Sequence, residues 1–152
     1  MMKTTRQAID RFLAPKKLAV AGVSRDPKKF GNTVYKELKE RGFEVYPINP
    51  NIDEVNGEKC YHSIAELPAG VRYLLVITKK PMTLGIVQEA VAKGIDHLWI
   101  QQMSETPEVM DFLKDKKVTL VTRECILMWI EPVKSIHKFH RCIRKIFGRL
   151  PE

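Results

Sequence analysis

The sequence predicts an α/β fold: a Rossmann-like, doubly wound and mainly parallel sheet of five strands with helices on both faces. Short apolar runs alternate with segments of helical periodicity, which is the order of βαβ units. The runs Leu18-Ala-Val-Ala and Leu74-Leu-Val-Ile are apolar at every position, as strands buried on both faces must be. The 152 residues are enough for one such domain and too few for a second of similar size.

The predicted elements follow one another along the chain with short connections. They are a strand at 17–22, a helix at 31–41, strands at 43–48 and 72–77, a helix at 83–93, a strand at 96–101, a helix at 107–115, a strand at 117–121 and helical segments from about 124. Residues 49–62 are rich in turn formers and predict an irregular connection. Gly42 and Gly94 stand where a left-handed residue ends a helix, and Thr106 before Pro107 predicts an N-cap.

The segment between the first strand and the first helix carries the strongest functional signal. It comprises Gly22, Val23, Ser24, Arg25, Lys28, Lys29 and the helix start near Asn32. Backbone N–H groups at a helix start lack partners within the helix and carry partial positive charge, so phosphate is their natural ligand. The three cations add full charges, which predicts an anion site; the alternative is a solvated loop whose glycine only makes the turn.

The fingerprint of dinucleotide-binding proteins is incomplete in this segment. After Gly22, the positions of the second and third fingerprint glycines hold Ser24 and Pro27. The second strand ends at Asn49, where an NAD site has an acid on the ribose hydroxyls. No mononucleotide P-loop pattern occurs in the chain either. These departures disfavour NAD and favour another phosphate compound.

Four segments form a pattern that is more specific together than any one of them alone. They are Val20-Ala-Gly-Val-Ser-Arg-Asp-Pro27, Gly42-Phe-Glu-Val-Tyr-Pro-Ile-Asn-Pro50, Val55-Asn-Gly-Glu-Lys-Cys-Tyr61 and Arg123-Glu-Cys-Ile126. Over roughly residues 15–131 the chain resembles the small stand-alone CoA-binding domain proteins. Those proteins are similar in turn to the N-terminal CoA-binding domain of the succinyl-CoA synthetase alpha subunit.

The resemblance implies that the chain binds coenzyme A (CoA) or an acyl-CoA. The implied contacts are Gly22, Val23, Ser24 and Arg25 for the nucleotide phosphates, Asn49 and Pro50 for the adenosine end, and Thr78, Pro81 and Met82 for the pantetheine arm. CoA carries a 3′-phosphate besides its pyrophosphate, so the cations of the first loop suit it better than they suit a neutral ligand.

Catalytic residues are not expected. The synthetase reaction needs a phosphorylated histidine from a second domain, for which the chain leaves no room. Where the synthetase pattern has an acid after its fourth strand, this sequence has Gln101 and Gln102. The four histidines fall on a turn, a strand start and the tail, away from the predicted strand ends. The sequence therefore predicts a non-catalytic binding protein.

The cysteines Cys60, Cys125 and Cys142 are odd in number and lie at no metal or redox spacing. We therefore expect reduced thiols, a cytoplasmic protein and no bound metal. Cys125 follows the last predicted strand at the start of a predicted helix, where Arg123 and the helix end would stabilise a thiolate. One hypothesis is that Cys125 faces the thiol end of CoA and forms a mixed disulfide with it. The alternative is a small buried apolar residue.

Residues 133–152 carry most of the basic charge. Six cations and one acid in this segment supply five of the eight net positive charges. Its apolar residues follow a three-then-four spacing, which predicts a basic amphipathic helix after a CoA-binding domain at 1–132. Its apolar face is expected to pack on that domain or on a neighbouring subunit, in a monomer or a homodimer.

Other uses of the basic tail remain open. One alternative is a Rossmann-like interaction protein that binds an acidic partner through this helix, and others are contact with nucleic acid or with an anionic membrane surface. No segment has the apolar length of a transmembrane helix.

Overall fold

The computed structural model describes residues 3–132 of the chain. Its helices are α1 (Arg6–Leu13), α2 (Phe30–Glu40), α3 (Lys80–Lys93) and α4 (Pro107–Leu113). Its strands are β1 (Lys17–Ala21), β2 (Glu44–Ile48), β3 (Glu54–Val55), β4 (Glu58–Lys59), β5 (Tyr73–Val76), β6 (His97–Gln101) and β7 (Thr119–Glu124). Short 3₁₀ helices occupy Ile64–Glu66 and Ile126–Met128.

Five strands form one parallel sheet in the order β2-β1-β5-β6-β7. The chain adds β2 on one side of β1 and then adds β5, β6 and β7 on the other side, so the direction reverses between β1 and β5. In open α/β sheets, ligands bind beyond the carboxyl ends of the strands at this kind of switch point. The predicted doubly wound α/β fold is confirmed, and the loop after β1 lies at the switch point.

Two apolar layers hold the helices against the sheet. One layer joins α1 and α2 to sheet residues such as Val20 and Trp99. The other joins α3 and α4 to sheet residues such as Ala19 and Leu98. Neighbouring residues in a strand point to opposite faces, and both faces here are buried, which is why the runs Leu18-Ala-Val-Ala of β1 and Leu74-Leu-Val of β5 are apolar at every position.

Helix α1 is missing from the sequence prediction, which begins at residue 17. Thr5 caps this helix by accepting a hydrogen bond from the backbone N–H of Ala8 at 3.1 Å. Ile9 and Phe12 are buried in the layer that it shares with α2. The apolar residues Ala8, Ile9, Phe12 and Leu13 recur at helical spacing, a signal that the sequence prediction passed over, and tertiary packing rather than propensity stabilises so short a helix.

The connection between β2 and β5, predicted as irregular, contains the hairpin β3–β4. Its loop residues Asn56 and Gly57 have φ angles of 52° and 78°, and a type I′ turn requires positive values at both positions. After the hairpin, Tyr61 donates its N–H to the carbonyl of Pro47 at 2.8 Å and accepts from the N–H of Asn49 at 2.9 Å. These bonds return the chain to the carboxyl end of β2.

The ends of two elements differ from their predicted bounds. Helix α3 begins at Lys80 rather than at residue 83, because the extended Lys79 precedes it and Pro81 occupies its first turn. Strand β7 covers Thr119–Glu124 rather than 117–121, and its pairing with β6 shifts register between Ile100 and Gln101.

The predicted helix ends are confirmed. Gly42 and Gly94 have φ angles of 80° and 90°, in the left-handed region that favours glycine. Thr106 caps α4 by accepting a hydrogen bond from the backbone N–H of Val109 at 3.3 Å.

The predicted amphipathic helix at 133–152 lies outside the described residues. At the end of the described segment, Arg41 Nη2 donates a hydrogen bond to the carbonyl of Pro132 at 2.7 Å. Within residues 3–132, no helix is long and apolar enough to cross a membrane.

Candidate functional site

A cavity of about 1050 Å³ opens at the carboxyl edge of the sheet, on the switch point. Most of its wall is apolar. The predicted site residues that line it are Gly22, Val23, Ser24, Lys29, Asn49, Pro50, Thr78, Met82 and Cys125. Four further predicted residues, Arg25, Lys28, Asn32 and Pro81, lie outside this lining. The residues that sequence analysis grouped from separate strand ends are therefore largely brought together.

The loop between β1 and α2 is held in place by its own side chains. Asn32 accepts a hydrogen bond from the backbone N–H of Ser24 and donates one to the carbonyl of Ser24, both at 2.7 Å. Ser24 Oγ accepts from the N–H of Asp26 at 3.2 Å, and Asp26 Oδ1 accepts from the N–H of Lys28 at 2.9 Å. Asn32 therefore positions the loop from behind rather than lining the cavity.

Two glycines permit close backbone approaches at the loop after β1, one to the chain after β5 and one to helix α2. A Cβ atom on Gly22, whose φ is 126°, would lie 2.0 Å from the carbonyl oxygen of Ile77. A Cβ atom on Gly31 would lie 2.0 Å from the carbonyl oxygen of Gly22. Gly31 thus serves the close helix–strand packing that the third fingerprint glycine serves in dinucleotide-binding proteins. Sequence analysis missed it, although a glycine inside the first turn of a predicted helix is itself a signal of close approach.

Asn49 connects the loops that follow β1 and β2. Its Nδ2 donates to the carbonyl of Val23 at 2.7 Å, and its Oδ1 accepts from the N–H of Asn51 at 2.8 Å. Arg25 Nη2 reinforces the connection by donating to the carbonyl of Asn51 at 2.6 Å. A carboxylate at position 49 could not donate to Val23, so the amide of Asn49 has a structural role in joining the two loops.

The end of the cavity beside the loops after β1 and β5 is electropositive. Helices α2 and α3 both begin at the cavity, after Lys29 and Lys79, and neither N-cap side chain accepts a hydrogen bond from its helix. Uncapped helix starts concentrate N–H donors and partial positive charge. The ammonium groups of the two lysines add full charges beside them. This part of the wall suits a phosphorylated ligand.

The opposite end of the cavity lies beyond β6 and β7. Its wall is formed by Gln101, Gln102, Met103, Ser104, Cys125 and Met128, which we call the uncharged end. Gln101 is buried, and its Oε1 accepts from the N–H of Ile126 at 3.1 Å, which fixes the backbone beside Cys125. Cys125 is 6% exposed and precedes a 3₁₀ helix of only three residues. The helix that was expected to begin at Cys125 is thus only this 3₁₀ helix, much shorter than predicted.

His62 is a cavity residue that sequence analysis placed away from the strand ends, and that expectation was wrong. The hairpin β3–β4 brings the chain back to β2 and thereby carries His62 to the cavity. Its Nε2 lies 2.8 Å from Asp53 Oδ1, and its backbone N–H donates to Glu66 at 2.9 Å. The Asn-Gly dipeptide of the hairpin was the available signal.

Other residues of the cavity wall belong to no recognisable sequence motif. They include Ile48, Ile64, Ile77, Ile86, Met103 and Met128. Within residues 3–132, no group of three or more His, Cys, Asp or Glu side chains is placed to hold a metal ion.

Known proteins with similar sequences share this domain. The 40% identical match to the acetate–CoA ligase (ADP-forming) II subunit alpha of Pyrococcus furiosus covers 57% of this chain and 19% of that one. The uncharacterized protein YneT of Bacillus subtilis is 30% identical, over 73% of this chain and 82% of its own length. The chain thus spans about a fifth of the ligase subunit and most of the smaller protein.

A solved structure agrees with these similarities. A conserved hypothetical protein from Pyrococcus furiosus superimposes with a TM-score of 0.70 at 40% identity, over 72% of this chain and 95% of that one. The model of the CoA binding domain family matches residues 16–131, which include β1 to β7 and the cavity described above. The chain therefore belongs to the CoA binding domain family.

Proposed function

We propose that this chain binds coenzyme A in the cavity at the carboxyl edge of the sheet and does not itself convert it. The observation that carries the proposal is the position of the electropositive end on the switch point. There, two helix starts without a side-chain cap, and the lysines Lys29 and Lys79 that precede them, line the same cavity. Membership of the CoA binding domain family supports CoA over other phosphate compounds.

In this proposal the CoA pyrophosphate lies against the loop from Gly22 to Ser24. The adenosine end borders Asn49 and Pro50 at the end of β2. Arg25 contacts a phosphate from outside the cavity lining, because a guanidinium has five N–H donors and the bond to Asn51 uses one of them. Lys28 and Lys29 add charge near the 3′-phosphate.

The pantetheine arm then crosses the ends of β5 and β6. Thr78 lines this part of the cavity, and its hydroxyl lies 3.0 Å from the hydroxyl of Thr83. We place the thiol of CoA at the uncharged end, facing Cys125. Pro81 and Met82 border the ligand from the first turn of α3.

We propose a binding role because the stretch shared with the ligase subunit is about a fifth of that protein. The imidazole of His62 is engaged with Asp53 at the wall. We assign it no part in a reaction.

Titration calorimetry of the full chain with CoA, dephospho-CoA, NAD and ATP tests the proposal. We expect CoA to bind more tightly than dephospho-CoA, which lacks the 3′-phosphate, and more tightly than NAD. CoA at a hundred times its dissociation constant should add about 2.7 kcal/mol to the free energy of unfolding. Incubation with acetyl-CoA should release no free thiol. Failure of CoA to bind at millimolar concentration would contradict the proposal.

A further inference from the structure

Three large apolar side chains are exposed in the part of the chain that the structure describes, and all three line the cavity. Phe30 is 42% exposed, Met82 52% and Met103 77%. Exposed apolar side chains that cluster at one opening mark a binding surface rather than scattered surface residues. Met103 is the most exposed of them, and its φ of 73° is a left-handed conformation that large residues seldom adopt.

Met82 and Met103 lie on different sides of the cavity. Met82 shares a helix face with Ile86, Glu89 and Lys93, because these positions recur at helical spacing along α3. Lys93 at the end of this face donates to the carbonyl of Leu67 at 2.8 Å, so the face is turned toward the 3₁₀ helix that follows β4. Met103 instead follows β6, at the uncharged end.

Charge is distributed unequally between the two sides. The ionisable side chains of the wall other than the Cys125 thiol are Lys29, His62, Lys79 and Glu89. All of them lie outside the uncharged end, whose wall offers two methionines, two glutamines, a serine and a cysteine. A ligand that fits both regions has a polyanionic part and an uncharged, apolar part.

The length of CoA brings its thiol to the uncharged end. Between the pyrophosphate oxygen and the sulfur, pantetheine has about twelve chain bonds, as many as four residues, and so spans about 13–14 Å when extended. Neighbouring strands are about 4.8 Å apart, so the ends of β6 and β7 lie about 10 Å and 14 Å from that of β1. The sulfur of an arm that starts at the β1 loop therefore lies between β6 and β7, and any acyl group on it extends past Met103 and Met128.

We propose that the preferred ligand is a CoA thioester with an uncharged, apolar acyl chain, and that this chain lies on Met103 and Met128. The inference rests on the CoA binding proposed above and adds the class of acyl group. Unbranched, polarizable methionine side chains adapt to apolar groups of different length. An acyl group that ends in a carboxylate finds no cation among the wall residues of the uncharged end.

Dissociation constants of the full chain for CoA, acetyl-CoA, hexanoyl-CoA and succinyl-CoA test this inference. Each methylene group that is fully removed from water raises the affinity about fourfold. Because the cavity is open to solvent, an acyl chain in it is only partly buried and gains only part of this factor. We expect hexanoyl-CoA to bind about tenfold or more tightly than CoA, and succinyl-CoA to gain nothing over acetyl-CoA. Equal affinity for CoA and hexanoyl-CoA would overturn the inference and leave the proposed CoA binding intact. If neither CoA nor hexanoyl-CoA binds, the inference and the proposed CoA binding both fail.

A matched pair of variants locates the acyl group. Met103→Gln and Met82→Gln make the same change at two exposed side chains, so neither threatens the core. Met103→Gln should lower the preference for hexanoyl-CoA over CoA at least about threefold, whereas Met82→Gln should change both constants by the same factor. An unchanged preference in Met103→Gln, or an equal loss of preference in both variants, would refute the placement at Met103.

Discussion

The side-chain amide of Asn32 forms two hydrogen bonds with the backbone of Ser24, one as acceptor and one as donor, both 2.7 Å long. This reciprocal pair joins the first turn of α2 to the loop after β1. The amide makes the two bonds with different atoms, Oδ1 as acceptor and Nδ2 as donor, whereas a carboxylate donates none and an ammonium accepts none. The shape of the loop after β1 therefore depends on one side chain that does not line the cavity.

Asn32→Asp should destabilise the fold and weaken CoA binding. The variant leaves the carbonyl of Ser24 without its donor and places a negative charge behind the phosphate site. We expect a loss of about 1–3 kcal/mol in the free energy of unfolding and at least about tenfold in CoA affinity. Urea denaturation measures the free energy of unfolding, and titration calorimetry measures the CoA affinity. Asn56→Asp, the same change in an exposed hairpin turn that accepts Asp-Gly, is the control and should change neither. Wild-type binding by Asn32→Asp would contradict this account of the loop.

Gly31→Ala should be strongly destabilising although alanine is the better helix former. Its Cβ would lie 2.0 Å from the carbonyl oxygen of Gly22, so backbone must move. We expect a loss of about 2 kcal/mol or more in stability, with weaker CoA binding. Gly85→Ala is the matched control, since a Cβ there meets nothing within 4 Å; it should stabilise by up to about 1 kcal/mol. Thermal unfolding of both variants checks the difference, and a neutral Gly31→Ala would disprove the close approach.

Lys29 and Lys28 should contribute unequally to CoA binding. Lys29 lines the cavity and Lys28 does not, although both are exposed and adjacent in sequence. A charge-assisted hydrogen bond to phosphate contributes about 1.5–3 kcal/mol, so Lys29→Gln should weaken binding about tenfold or more at low salt. Lys28→Gln should weaken it less than about threefold. Calorimetry at two ionic strengths is the measurement, and the larger loss should shrink as salt screens the charge. Equal losses in the two variants would show that only overall charge matters.

Cys125 should form a mixed disulfide when the protein is incubated with CoA disulfide. A thiolate at Cys125 attacks one sulfur of the disulfide, and the other CoA leaves as a thiolate. Peptide mass spectrometry identifies the site. Cys60 is an internal control, because it does not line the cavity and burial raises the pKa of its thiol. An adduct on Cys60 alone, or none on Cys125, would favour the alternative in which Cys125 is only a buried apolar residue.

The fold was largely predictable because its signals are local and repeated. Strands β1 and β5 contain uninterrupted apolar runs, and Gly42 and Gly94 mark helix ends by a conformation that other residues avoid. Helix α1 was also predictable and was passed over, since Ala8, Ile9, Phe12 and Leu13 recur at helical spacing after a threonine that can cap the helix. The hairpin at Asn56 and Gly57 was predictable from its dipeptide and was passed over.

Some parts of the candidate site could likewise be predicted from the sequence, and others could not. The β1 loop could be found from sequence, because glycine, hydroxyl and cations stand together next to a helix start. Met103 could not, because its place in the wall depends on which loops the strand order makes neighbours. For His62 the Asn-Gly turn was the available signal, since the hairpin returns the chain to β2. The roles of Asn32 and Asn49 were also hidden: the sequence shows an amide near the site and not whether it faces the ligand or the backbone.

The cavity wall draws on chain segments from Ala21 to Met128 and on the ends of all five parallel strands. Detaching any edge of the sheet removes part of that wall, so partly opened forms of the domain bind poorly. A bound ligand therefore lowers the population of partial as well as complete openings, and these are the forms that proteases cut. The lifetime of the protein in a cell would then follow the supply of its ligand.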